Sequence, residues 1–150
     1  MELNQSQRHF IRPSFVARMA NRFYSWLADV GLGPSYSYLL QVTGRKTGRT
    51  YSTPVNVLRR GKKLFLVGTR GHTEWSRNAL VDGNVVLKKG RVRLHFTARA
   101  VPDTEKPEIL KDYLEHFNWA VRRFFPVPAD AAASAFAEIS DRYPVFELVR

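Results

Sequence analysis

The sequence predicts an α+β fold: a mainly antiparallel sheet, curled into a barrel, with helices flanking it at the N- and C-terminal ends. Three observations predict it. Short apolar or alternating runs fill the middle of the chain and are joined by hairpin-length turns. Runs of helical period occupy the two ends. The strand–helix–strand rhythm of a parallel sheet is missing, and no G-x-G-x-x-G occurs.

The elements follow in order. Residues 1–150 read as one domain, with 1–12 as a flexible N-terminal segment. Phe15 to Val30 reads as a helix, with Phe15, Val16, Met19, Phe23, Trp26, Leu27 and Val30 on one face. Pro13 and Ser14 suit its start, and Gly31 or Gly33 its stop. Tyr36–Val42 reads as a buried strand. Ser52–Leu58 follows as a second, where Pro54 marks an edge or a bulge. Lys63–Gly68 is a third, reached through the turn Arg59-Arg60-Gly61-Lys62. Glu74–Leu80 reads as a short helix. Asn84–Leu87 and Arg91–Val101 form a hairpin around Lys88-Lys89-Gly90. Thr104–Phe125 is a long amphipathic helix striped by Ile109, Leu110, Tyr113, Leu114, Phe117 and Val121. Ala129–Asp141 reads as a further helix, and Val145–Val149 as a closing strand.

Composition narrows the function. The chain has 150 residues, 44% hydrophobic and 25% charged, which is ordinary for a globular domain. It has no cysteine, so disulfides, thiolate nucleophiles and thiolate metal sites are excluded. No apolar run reaches the length of a membrane span, and the N-terminal residues lack the apolar core of a signal peptide. The expectation is a cytoplasmic protein, with peripheral membrane contact through residues 13–30 left open. The net charge is +11 and unevenly spread. Residues 1–102 carry 18 Lys/Arg against 4 Asp/Glu, and residues 103–150 carry 6 against 9. Such a field concentrates anions. Nucleic acid, an anionic membrane and a polyanionic small molecule all qualify, as does a surface that is merely soluble. The aromatics sit mostly at core-like positions instead of forming a basic stacking platform, which ranks nucleic acid last.

Two clusters could carry chemistry. Residues 43–50, Thr-Gly-Arg-Lys-Thr-Gly-Arg-Thr, join two expected strands and hold three cations, two glycines and three threonines. Glycines let backbone N–H groups approach an anion, and Arg and Lys bind phosphate oxygens. A solvated hairpin turn would use similar residues, so composition alone leaves both readings open. The Gly44…Gly48 spacing does not match a Walker loop. Residues 68–78 follow an apolar strand and open a short helix, whose N-terminal amides could also face an anion. Trp75 there could stack on a planar ring or anchor the helix to the core. His9, His72, His95 and His116 show no ligand spacing, and neither a Ser-His-Asp nor a paired-carboxylate pattern stands out. An enzyme so poor in candidate acids and nucleophiles needs a cofactor.

The run LLQVTGRKTGRTYSTPVNVL, then LFLVGTRG, Trp75 and Arg77-Asn78-Ala79-Leu80, resembles the deazaflavin-dependent nitroreductase family of split β-barrel proteins. The resemblance covers roughly residues 15–101 and is plainest over 37–80. It implies a split barrel binding coenzyme F420, a deazaflavin with a phosphate and an oligoglutamate tail, with FMN as the alternative. By position, Arg45, Lys46 and Thr47 would contact the phosphate. Arg49 would support them, since Tyr51 stands where many relatives carry arginine. Pro54 and Val55 would line the ring. Thr69 and Arg70 would reach its polar edge or the tail, and Trp75 and Asn78 would close the site. The implied reaction passes a hydride from the reduced deazaflavin to a quinone, enone or nitroaromatic. The proton would come from solvent or a tyrosine, for which Tyr113 is the candidate. The other readings are a non-catalytic carrier of deazaflavin, haem or lipid on the same fold. Related split barrels commonly form homodimers.

Overall fold

A computed structural model describes residues 35–150. The expected helix Phe15–Val30, the segment 1–12 and the membrane-facing stretch 13–30 lie outside the described residues. Among the described residues there are seven strands: β1 Ser37–Thr43, β2 Thr50–Asn56, β3 Leu58–Arg60, β4 Lys63–Val67, β5 Asn84–Lys89, β6 Val92–Ala100 and β7 Val145–Val149. Three α-helices accompany them among the described residues: α1 Glu74–Val81 between β4 and β5, and α2 Lys106–Val121 and α3 Ala133–Ala137 between β6 and β7. All strand pairings are antiparallel.

The strand order is β2-β1-β5-β6-β7-β4-β3, so β2 and β3 stand at opposite ends of the sheet. Yet only Val57 separates Asn56, the last residue of β2, from Leu58, the first of β3. One residue spans at most about 3.6 Å of extended chain. The two ends of the sheet therefore meet, and the sheet is a barrel interrupted along that seam. The expected single strand Ser52–Leu58 is thus two strands. The chain leaves β1 at Asn56 and takes up β4 at Leu58. At the break the Val57 N–H donates to the Tyr36 carbonyl at 2.9 Å. Pro54 lies on the edge strand β2, opposite Leu39, where its missing N–H is tolerated.

Two apolar clusters divide the interior. One, with Leu40, Val42, Val57, Leu66, Val85, Leu87, Phe96 and Phe146, also receives Ala79 and Trp75 of α1. The strict alternation on β6, where Phe96 and Ala98 are buried and His95, Thr97 and Arg99 exposed, reflects a strand with one face inward. The other cluster joins Leu58, Phe65, Val67 and Val145 to α2 and the C-terminal segment. The whole expected stripe of α2, Ile109, Leu110, Tyr113, Leu114, Phe117 and Val121, is buried there.

The C-terminal helices are shorter than their sequence suggests. Thr104–Phe125 becomes the α-helix Lys106–Val121 between two short 3-10 turns, with a kink at Phe117 (φ −117°, ψ 25°). Ala129–Asp141 contracts to five α-helical residues and a 3-10 turn at Ser140–Arg142. The Lys111 ammonium from α2 donates to the Ala129 and Ala131 carbonyls at 2.7 and 2.8 Å. A tertiary contact holds the acceptors that would open a longer helix, and it outweighs alanine propensity.

Candidate cofactor site

The turn between β1 and β2 is closed by its own backbone. The Gly44 N–H donates to the Arg49 carbonyl at 2.7 Å, and the Gly48 N–H to the Gly44 carbonyl at 2.9 Å. Gly48 has φ +72°, a left-handed conformation that suits glycine. Gly44 is required for a different reason. The Tyr51 ring lies across it, and a β-carbon there would come within 2.4 Å of Tyr51 Cε2. The Tyr51 hydroxyl is 3.0 Å from Thr47 Oγ1, which in turn accepts the Arg49 N–H at 3.2 Å. Tyr51 thus braces the turn.

A second brace comes from α1. The Asn78 side-chain oxygen accepts the Arg45 backbone N–H at 3.1 Å and the Arg45 guanidinium at 2.8 Å. The same guanidinium nitrogen reaches a Glu74 carboxylate oxygen at 2.8 Å. Arg45 is largely buried, with a side chain 17% exposed, whereas Glu74 is 72% exposed. The Arg45 hydrogen bond, foremost among the neighbouring cations, holds the Glu74 carboxyl below its usual range.

Four of the six amides from Gly44 to Arg49 are therefore engaged within the protein. The N–H groups of Lys46 and Thr47 have no acceptor among the described residues. They belong to consecutive, exposed residues on the same turn as the exposed Arg49. Two adjacent free donors beside two cations suit the oxygens of a phosphate.

The structure draws together only part of the expected set. Arg45 and Asn78 are in direct contact, and Lys46, Thr47 and Arg49 share the turn. Pro54 and Val55 are half-buried on β2, with Val55 packed on the barrel interior. Trp75 packs against Phe146, ring centroids 5.8 Å apart, as an anchor for α1. Thr69 and Arg70 lie on the loop after β4, and Arg70 lies over the Phe124 ring at 5.2 Å. Arg123 lies over the same ring at 4.8 Å. Burial, then repulsion from Arg123, lowers the affinity of Arg70 for its proton. Tyr113 is 3% exposed and packs at a tilt against Phe117, ring centroids 4.8 Å apart. Burial pushes its phenol pKa well up, partly offset by a hydrogen bond with Asn56. That surrounding gives Tyr113 a packing role and no open path to a ligand.

Sequence reasoning missed two features. Glu74 and Asn78 are four apart, hence on one face of a helix, which is the signal that could have paired them with one partner. The second is a charged cleft of about 580 Å³ over β3, β4, β6 and β7 beside α2. There Arg60 meets Asp112 at 2.6 Å, and Glu147 is held by Lys63 at 3.7 Å and by Arg99. Among the described residues no group of His, Asp or Glu could hold a metal ion, and no helix is long and apolar enough to cross a membrane.

Comparison with known proteins places this geometry. Residues 18–122 match the family described as F420H(2)-dependent quinone reductase. A structure of an F420-H2 dependent reductase superposes with a TM-score of 0.50 at 20% identity, covering 76% of this chain and 94% of that one. The protein Atu2129 from Agrobacterium tumefaciens, of unknown function, gives a TM-score of 0.57 at 16% identity, covering 92% of this chain. This chain spans 58% of its length. HutZ, a heme storage protein from Vibrio cholerae, gives 0.53 at 12% identity, covering 85% of each chain. At these identities the structures show a shared split-barrel fold.

Proposed function

This chain belongs to the F420H(2)-dependent quinone reductase family, and we propose that it is a reductase for quinones or similar electron-poor acceptors, holding the phosphate of F420 on the Gly44–Arg49 turn. The observation that carries this reading is the pair of free amides at Lys46 and Thr47 beside the Lys46 and Arg49 cations. F420 is the cofactor its family uses, and when bound in its reduced form it supplies a hydride.

The residues of this chain supply binding and orientation. Lys46, Thr47 and Arg49 take the phosphate. Asn78 and Tyr51 hold the turn in shape from opposite sides, so little ordering is left for the binding step. Pro54 and Val55, half-buried on β2, would line the planar ring. Thr69 and Arg70, on the loop after β4, would reach the polar edge of the ring or the acidic tail, and Arg70 lies over the Phe124 ring. Solvent is the proton source favoured by the depth of Tyr113. The same reading takes residues 1–150 as one domain acting on a small molecule in the cytoplasm. A homodimer belongs to it too. β2 ends the strand order, and a second copy has an edge to approach there.

The test is a titration of the purified chain with F420 and, separately, FMN, followed by fluorescence. Turnover of reduced F420 is then assayed against a quinone, an enone and a nitroaromatic. Saturable F420 binding with quinone turnover supports the reading. Binding without turnover on any acceptor favours a carrier, and no binding of F420 removes the reading altogether.

A further inference from the structure

We infer that Glu74 is a built-in competitor for the anion on the turn: its carboxylate occupies Arg45 and sets how tightly a phosphate is held. The inference rests on the turn being the phosphate site proposed above. It goes beyond that reading by assigning Glu74 a role that opposes binding.

The geometry is specific. Arg45 Nη1 donates to Glu74 Oε2 and to Asn78 Oδ1, both at 2.8 Å. Asn78 is buried and also holds the Arg45 backbone, so it is a structural brace. Glu74 is not buried and has no other hydrogen-bond or ion-pair partner among the described residues. It is an exposed anion bound to an arginine on a turn whose free donors, Lys46 and Thr47, adjoin it in sequence. The charges facing Glu74 are Arg45 and Lys46 from the turn and Arg77 from its own helix. All are cations, so nothing nearby but an incoming anion favours its release.

A phosphate arriving at Lys46 and Thr47 therefore meets a guanidinium already neutralised. Either Arg45 stays with Glu74 and the phosphate does without it, or the phosphate displaces the carboxylate. Both routes weaken binding relative to a chain lacking the acid. Because the Glu74 carboxylate is solvent-exposed, the effect is modest, about two- to fivefold in affinity, the range of ion pairs open to water. The site thus trades affinity for ready release of its anion.

The experiment uses the full chain with two probes, inorganic phosphate and F420. Phosphate binding is read from backbone amide shifts of Gly44 to Arg49, and F420 binding from fluorescence. The proteins are the wild type, Glu74→Gln and the exposed-acid control Glu108→Gln, all at pH 7 and low salt. Glu74→Gln is expected to bind both probes about two- to fivefold more tightly, while Glu108→Gln matches the wild type. Equal or weaker phosphate binding by Glu74→Gln overturns the inference, as does equal tightening by Glu108→Gln. If Glu74→Gln melts well below the wild type, Glu74→Ala takes its place under the same criteria. If F420 binds neither protein while phosphate tightens at Glu74→Gln, the cofactor reading fails and this inference stands. If F420 binds both proteins alike and phosphate is unchanged, the reverse holds.

Discussion

Two cationic regions of this molecule treat their charge in opposite ways. In the cleft beside α2, three of the four lining cations meet carboxylates: Arg60 meets Asp112, and Lys63 and Arg99 meet Glu147. Those pairs join β3 to α2 and β4 and β6 to β7, so the charge serves the architecture. On the Gly44–Arg49 turn, three cations meet one carboxylate, and that carboxylate belongs to an exposed side chain. The turn keeps unmatched positive charge and two free amides. A count of Lys and Arg therefore does not locate an anion site. What locates it is positive charge left over after internal partners are assigned.

Gly44→Ala places a methyl group against the Tyr51 ring, and overpacking of this kind costs about 1–3 kcal/mol. Thermal unfolding is expected to shift down accordingly, and the Tyr51 brace on Thr47 to loosen. An unchanged melting temperature and F420 affinity would mean that Tyr51 moves aside freely and braces nothing.

The alkaline limit of the fold should belong to neither cationic region. The buried Tyr143 hydroxyl donates to the Phe124 carbonyl at 2.5 Å, and burial pushes its pKa up to about 12. A phenol whose pKa is higher folded than unfolded makes its contribution in full below about pH 10. That contribution is lost as pH rises from there through about 12. Denaturant midpoints measured from pH 9 to 12 are expected to fall in the wild type and to fall less in Tyr143→Phe. Parallel curves would show that another group governs the alkaline response.

At the cleft, Asp112→Asn removes the partner of Arg60 in a half-exposed pair and is expected to cost less than about 1 kcal/mol. Its F420 affinity should equal that of the wild type. A loss of affinity in Asp112→Asn would tie the cleft to the cofactor and erase the contrast between the regions.

The smallest effect concerns Glu74. Its pKa is depressed by Arg45, so the ion pair contributes stability above the ordinary carboxylate range and loses it as pH falls through the lowered value. Carbon-detected titration of the Glu74 carboxyl is expected to give a midpoint below 4.5, the ordinary value, and to return toward it in Arg45→Gln.

Much of this was legible in the sequence because it is local. Alternation and turn residues mark the strands, and the apolar stripe of α2 appears at the positions first read. The turn declares itself through Gly44, Gly48 and the cations between them. Other features depend on contacts across the fold. The break at Val57 follows from a strand changing neighbours between the two ends of the sheet, which no local pattern records. The shortened alanine-rich helix follows from Lys111 reaching across from α2. In the site, the cations were readable, but their partners were not. Glu74 and Asn78 lie 29 and 33 residues from Arg45, and only the fold assigns them. Trp75 and Tyr113 are ambiguous for the same reason, since an aromatic residue reads alike whether it stacks on a ligand or packs against Phe146 or Phe117.

The central claim is that unmatched charge and free amides on the turn hold the phosphate of F420. The measurement that tests it most directly is F420 titration of the wild type against Lys46→Ala, which deletes the exposed ammonium and leaves the braces at Tyr51 and Asn78 in place. A charge-assisted contact of this kind predicts saturable binding by the wild type and binding about tenfold or more weaker in the variant. Equal affinities, or no saturable binding by the wild type, would contradict the account.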